Sequence, residues 1–264
     1  MISYNIKFIV KISTLVMTLF FSNCNCYNGA IRNCTSAKLI SRMEFVRTDN
    51  NQLIVNSDSI GMFYCDDYTL YQIPVHASFS TGNFNKNGDE INEKIIKEWI
   101  NYEYVIHNKN KPFAFRFDSL KAENPKAVSI DSFQTHYTFK YFQFYQSDND
   151  SLLQSISVNH VLIEKYVCKD KKDASYPDTT FYYFKHGFEN IDYSFSKKMD
   201  SIKKMKLFKV ESIYNEIPLP NGTKIPKRVW VFELRNNDNY NKSNILKFVN
   251  QFRKKENGWS KEIK

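Results

Sequence analysis

Glycine and proline are scarce, seven of each among 264 residues. A phosphate-cradling loop or a dinucleotide-binding turn needs several glycines where the backbone must approach a phosphate, and neither pattern occurs. Arginine is also scarce, 7 against 30 lysines. Base edges and phosphates are read best by the bidentate guanidinium fork, so a net charge of +9 carried mostly by lysine argues against a nucleic-acid partner. Attraction to anionic lipid headgroups suits that charge better. Gly-x-Ser-x-Gly, His-Glu-x-x-His and Cys-x-x-Cys are missing, and the histidines (His76, His107, His136, His160, His186) are scattered, so no metal and no cofactor is expected. Long apolar runs are missing too. The longest, Ile12–Phe21, is well short of the roughly 20 residues that cross a bilayer.

That short run is nevertheless informative. It follows a basic start (Lys7, Lys11) and precedes small and polar residues, the order of a secretory signal, so residues 1–23 read as a cleaved leader. Phe21-Ser22-Asn23-Cys24 resembles the lipobox of bacterial lipoproteins, which implies lipid on the Cys24 sulfur; Asn23 stands where that pattern prefers Gly, Ala or Ser. An ordinary secretory protein cut nearby is the alternative. Residues 24–37 would then be the lipidated cysteine and a polar tether, and residues 38–264 a single folded domain.

Aromatic residues, 16% of the chain, favour strands over disorder. Leu39–Arg47, Gln52–Asn56, Ser59–Cys65 and Tyr68–Val75 are β-rich runs separated by turn residues, with Pro74 closing the last. Asp89 suits the cap of a helix from Glu90 to Asn101, along which Ile91, Ile95 and Trp99 recur every four residues. Period two then returns. Tyr102, Tyr104 and Ile106, answered by Phe113, Phe115 and Phe117, predict a hairpin. Val128–Tyr145 reads as a strand aromatic on both sides, and Leu152–Val158 with Val161–Val167 as a hairpin about Asn159-His160. Thr179–Lys185, Leu207–Tyr214 and Arg228–Arg235 are further strands. Two more helices are expected: Ser194–Lys206 with Phe195, Met199 and Ile202 inward, and Lys242–Lys255 with Ile245, Phe248, Val249 and Phe252 inward. The sum is an α+β domain, a curved and mainly antiparallel sheet of about ten strands with about three packed helices.

Candidate sites are few. With Cys24 lipidated, Cys26, Cys34, Cys65 and Cys168 allow three pairings; Cys65 with Cys168 is the first to test because both end strand-like runs, and free thiols are the alternative. A sheet lined with aromatic side chains can enclose an apolar ligand, with tyrosine hydroxyls orienting a lipid or glycan at its mouth; Tyr141, Tyr145 and Trp230 are the places to look. The same residues would otherwise fill a core. Asp66 and Asp67 are neighbours that point to opposite sides of an extended chain, which suits a turn and not an acid/base pair. Asp148-Asn149-Asp150-Ser151 begins like a calcium loop but lacks the glycine and the distal glutamate.

Taken with the leader, the runs Tyr176-Pro177-Asp178-Thr179-Thr180-Phe181-Tyr182-Tyr183 and Asp192-Tyr193-Ser194-Phe195-Ser196 resemble those of predicted lipoproteins of the Bacteroidota. No activity comes with that resemblance. It implies an outer-membrane anchor, and the lack of acidic residues just after Cys24 favours the periplasmic side. The expected function is an exported envelope lipoprotein that binds an apolar ligand, a glycan or an envelope protein without catalysis. A secreted hydrolase or thiol enzyme is the alternative, requiring a histidine beside Cys65, Cys168 or a carboxylate. An interaction protein with a large exposed apolar patch is a third.

Overall fold

The computed structural model describes residues 30–47, 50–84, 90–136, 150–169, 171, 176–238 and 240–262. The chain divides into Met1–Arg32 and Asn33–Lys264, and the architecture that follows is that of the second unit. In chain order its elements are β1 (Thr35–Val46), β2 (Leu53–Cys65), β3 (Tyr68–Phe84), β4 (Glu90–Asn108), β5 (Phe113–Phe117), β6 (Lys126–Ser129) and α1 (Ile130–His136). Then come β7 (Asp150–Val158), β8 (Val161–Cys168), β9 (Thr179–Lys185), α2 (Lys197–Lys203), β10 (Lys206–Tyr214), β11 (Ile217–Pro218), β12 (Lys224–Ile225), β13 (Arg228–Asn236) and α3 (Lys242–Glu262).

Eleven strands form one sheet in the order β6-β5-β4-β3-β2-β1-β13-β10-β9-β8-β7. Every pairing in it is antiparallel. Among the described residues the strands β6 and β7 are its two edges and the sheet is open; β11 and β12 make a separate small hairpin. The expected α+β class holds in this form.

The two sides of the sheet are covered by different parts of the chain. On the first, Leu39, Met62, Tyr71, Val105, Phe232 and Leu234 join Phe133 of α1, Met199 of α2 and the connector residues Phe188, Ile191 and Phe195 in one buried cluster. On the second, α3 lies over the strands β3 to β5. Phe248 packs on Phe117 with ring centroids 5.0 Å apart, and Phe252 on Phe115 at 5.4 Å and Tyr68 at 5.9 Å. Ile245, Phe248, Val249 and Phe252 are all buried, as their spacing predicts.

Several sequence expectations are overturned. Glu90–Asn101 belongs to β4 and is not a helix. A spacing of four satisfies a strand's period of two as well as a helix's 3.6, and the 17-residue partner β3 supplies the ladder that decides the matter. Pro74 does not end β3. It ends the pairing with β2, whose last rung is Gly61–Gln72, because proline offers no N–H beyond it. Gln52–Asn56 and Ser59–Cys65 are one strand, β2. Val128–Tyr145 is not a single strand: β6 stops at Ser129, whose hydroxyl accepts a hydrogen bond from the Ser132 N–H at 3.3 Å, and α1 follows.

The helix α2 is shorter than Ser194–Lys206. Ser196 caps it by accepting from the Met199 N–H, and Lys204 ends it in the left-handed region at φ 53°. Ile202, expected inward, is 65% exposed, since a helix of two turns buries only Met199. The helix α3 instead runs past Lys255 to Glu262. Thr35–Ala37, read as the end of a tether, are the first residues of β1.

The disulfide also differs from expectation. Cys34 bonds Cys65, and Cys168 is free. Register explains this. Thr35 faces Tyr64 across β1 and β2, so Cys34 falls opposite Cys65 with Cα atoms 4.4 Å apart. Cys168 ends β8 on the far half of the sheet, paired with Asp150 of β7.

Two buried carboxylates tie the helices to the strands. Glu164 of β8, 2% exposed, receives Lys203 of α2 at 2.5 Å and the Tyr166 hydroxyl at 3.0 Å. Glu256 of α3, 4% exposed, receives the Tyr68 hydroxyl at 3.0 Å and Lys111 at 3.1 Å, with Asn108 close by at 3.3 Å. Removing one partner from such a buried set leaves an uncompensated charge.

Candidate binding surface

Strand alternation fixes which residues continue the first face past the cover of α1 and α2. Trp230 lies two residues before buried Phe232 on β13, and Ala77 lies four after buried Ile73 on β3, so both share that face. Trp230 is paired with Met43, Met43 with Asn56, and Ala77 with Trp99. One row down, Tyr214 faces Arg228, Arg228 faces Phe45, Phe45 faces Ile54, and Phe79 faces Lys97. These rows make an apolar platform in two parts on one side of the sheet, the first on β10, β13, β1 and β2 and the second on β3 and β4, with no β2–β3 pairing between them past Gly61 and Gln72. Phe79 is 56% exposed, Trp99 39% and Trp230 38%, whereas Met43, Phe45, Ile54 and Tyr214 are half-buried.

In the first part the aromatic rings follow one another. Trp230 lies 6.1 Å from Phe232 and 6.5 Å from Tyr214 between ring centroids. The Arg228 guanidinium sits 4.6 Å over the Tyr214 ring, and Lys97 lies 5.8 Å from the Trp99 ring. Burial raises the Tyr214 hydroxyl above its ordinary pKa, opposed by Arg228. Each part offers an aromatic floor with one cation beside it, Arg228 at Tyr214 and Lys97 at Trp99, suited to apolar chains with a polar or anionic end.

Of the residues singled out from the sequence, Trp230 is on this floor; Tyr141 and Tyr145 lie outside the described residues, as does Cys24. Sequence reading missed Trp99, Phe79 and Met43. A helix reading of Glu90–Asn101 had turned Trp99 into an ordinary core position, and only the β3–β4 register reveals its neighbours. No helix among the described residues is long and apolar enough to cross a membrane, and no group of three His, Cys, Asp or Glu side chains there converges as a metal-ligand set.

Cysteine and histidine are placed as follows. Cys65 has no thiol, being in the disulfide. His107 Nε2 lies 2.9 Å from the Lys111 carbonyl oxygen. His76 lies 3.9 Å from Asp58, and His186 3.3 Å from Glu189, both on the surface. His160 shares a two-residue turn with Asn159, both at positive φ, 63° and 49°, as a type I′ hairpin requires.

No protein-family model and no curated protein matches the chain. Among solved structures it is similar to a LolA superfamily protein from Nitrosomonas europaea, at 8% identity and a TM-score of 0.17 over 77% of this chain and 87% of that one. It is also similar to a putative outer membrane lipoprotein-sorting protein domain from Vibrio parahaemolyticus, at 10% identity and a TM-score of 0.14 over 82% and 91% of the two chains. Likenesses of that size carry no functional argument.

Proposed function

We propose that this protein is an exported envelope lipoprotein, anchored through lipid on Cys24, whose sheet is a non-enzymatic binding module for an apolar ligand. The observation that supports the reading is the aromatic platform: Trp230, Tyr214 and Trp99 continue the face of the core outward and remain partly exposed beside Arg228 and Lys97. Large aromatic side chains held in water are unfavourable until something apolar covers them; a ligand with acyl chains does so and places an anionic headgroup beside a neighbouring cation. The leader and Cys24 put the module at a membrane surface, where such ligands are found.

The test is direct. The full chain, purified from its host's membranes, is titrated with a fluorescent fatty acid and with an anionic phospholipid below its aggregation concentration. Saturable binding is expected, with Trp230→Ala and Trp99→Ala each weakening it about tenfold at an unchanged melting temperature. Absence of binding, or binding indifferent to both variants, overturns the reading. Intact mass of the same preparation beside Cys24→Ala tests the anchor: acyl mass lost in the variant is the expected result.

A further inference from the structure

A hollow opens on the opposite side of the sheet, where β2 and β3 part. Pairing between them ends at Gly61 and Gln72, and the start of α3 stands over the gap. The hollow has a volume of about 320 Å³, within the range of roughly 300–1,000 Å³ usual for small-molecule sites. Glycine at position 61 keeps its floor open: a Cβ there would lie 3.1 Å from Gln72 Oε1 and 3.3 Å from Gln72 Cβ. A shallower depression of about 550 Å³ continues it past Tyr102, Tyr104, Leu120 and Asn244 towards Glu103 and Asp118. The two share those four residues, so they form one elongated groove.

The lining is unlike the platform's. Among the described residues, amide and hydroxyl groups dominate the deeper end, from Ser59, Gln72, Tyr102, Tyr240 and Asn244, and Lys38 is its one charged residue. Part of this set is fixed by the fold. Gln72 Nε2 donates to the Tyr104 hydroxyl at 3.3 Å, Asn241 Oδ1 accepts from the Asn244 N–H at 3.0 Å, and the Tyr240 ring packs 4.8 Å from Phe63. The rest points into the groove unused. Among the described residues, the Lys38 ammonium, the Ser59, Tyr102 and Tyr240 hydroxyls and the Asn244 side-chain amide make no hydrogen bond or ion pair.

Chemistry narrows the ligand. An anion such as phosphate calls for an arginine fork or several cations, and a metal cation calls for converging carboxylates; the described residues of the deeper end supply neither. An apolar ligand would strip water from these polar groups and give nothing back. Amides both donate and accept, hydroxyls do likewise, and tyrosine rings offer flat apolar faces. A polyhydroxylated ring molecule needs that combination. We propose that the groove binds an oligosaccharide: the tyrosine rings take the C–H faces of the sugars, the amides and hydroxyls take their hydroxyl groups, and Lys38 takes a carboxylate on one sugar.

The experiment is calorimetric titration of the full chain with three probes: a galacturonic acid trimer, the same trimer with its carboxyls reduced, and an N-acetylglucosamine trimer. Saturable binding of the acidic trimer is expected, weakened about tenfold by Tyr102→Ala and by Asn244→Ala. Lys38→Gln should weaken the acidic trimer by a similar factor and leave the reduced trimer unchanged. Trp230→Ala should alter none of these, which separates this site from the apolar platform. Far-ultraviolet circular dichroism and the melting temperature of each variant establish that it is folded; the substituted side chains are solvent-facing. Failure of all three trimers to bind, or binding that survives both Tyr102→Ala and Asn244→Ala, overturns the proposal. Binding confined to the N-acetylglucosamine trimer overturns the role given to Lys38.

Discussion

The inner and outer halves of the β3–β4 hairpin are built from the same kinds of residue and meet opposite fates. In the inner half, Leu70 faces Ile106 and Tyr71 faces Val105, and these four with Tyr68, Ile73 and Tyr104 are buried. In the outer half, Phe79, Ile95, Ile96, Trp99, Ile100 and Tyr102 are between 39% and 56% exposed. The strands are continuous through both. What changes is the neighbours: the inner half has β2 and β5 at its edges and a helix on each side, while pairing with β2 stops at Gln72 and pairing with β5 at Tyr104. A strand's apolar content therefore states how much it could bury, and other parts of the chain decide how much it does. The outer half is the part free to meet a ligand.

The largest expected effects come from removing the inner half's cover. Phe252 touches Tyr68, Phe115 and Phe117 and is 2% exposed. Phe252→Ala should cost about 3–5 kcal/mol, the usual range for a buried phenylalanine, read as a shift in the urea midpoint. A result near zero would mean that α3 is dispensable and that the two halves differ for another reason. Next in size is the disulfide. Cys34 and Cys65 are 31 residues apart, and opening a loop of that length by Cys34→Ser should cost about 2–4 kcal/mol in oxidising buffer. Under full reduction the wild type should fall to the stability of the variant.

Below these comes the polar clamp beneath α3. Glu256→Gln keeps a group that can accept from Tyr68 but removes the charge that meets Lys111. A loss of about 1–3 kcal/mol at neutral pH is expected by denaturant titration, and Lys111→Met in the same background should restore part of it. Alkali probes the same region. Burial, and for Tyr68 the Glu256 carboxylate as well, push the Tyr68 and Tyr71 hydroxyls up from 10.0 to about 12. A raised pKa in the folded state means that the stabilisation is complete below pH 10 and is lost as the pH climbs through about 12. The urea midpoint should fall over that window, less steeply in Tyr68→Phe. An unchanged slope would show that Tyr68 titrates freely.

Legibility followed the same division. The buried face of α3, the antiparallel pairing and the hairpin at Asn159-His160 were all readable, because each rests on local period or turn chemistry. Cys34–Cys65 was not, since Thr35–Ala37 look polar and small and only the register of β1 against β2 brings those cysteines opposite. Nor was β4. Its apolar residues recur every four, a period two structures share, and the choice was made by its partner strand β3. Trp230 was legible as an aromatic strand residue; that Met43 faces it, and that the strand bearing Trp99 continues the same face, was not. The groove at Lys38 and Asn244 assembles from residues separated by some two hundred positions and has no linear signature.

The smallest expected effect sharpens the comparison most. Phe79 and Ile100 lie on opposite faces of the outer half, 56% and 52% exposed. Threonine keeps the strand propensity of these sites while removing most of their apolar surface, so Phe79→Thr and Ile100→Thr should each change stability by no more than about 0.5 kcal/mol. Ligand binding should separate them. Phe79 faces the side of Trp99 and Trp230, so Phe79→Thr should weaken the fatty acid, whereas Ile100, on the other side, should leave that affinity alone. Were both variants to destabilise the protein by as much as Phe252→Ala does, the outer half would be part of the core and the platform would not be a free surface. Were both to weaken the fatty acid equally, the ligand would wrap the ribbon and not lie on one face of the sheet.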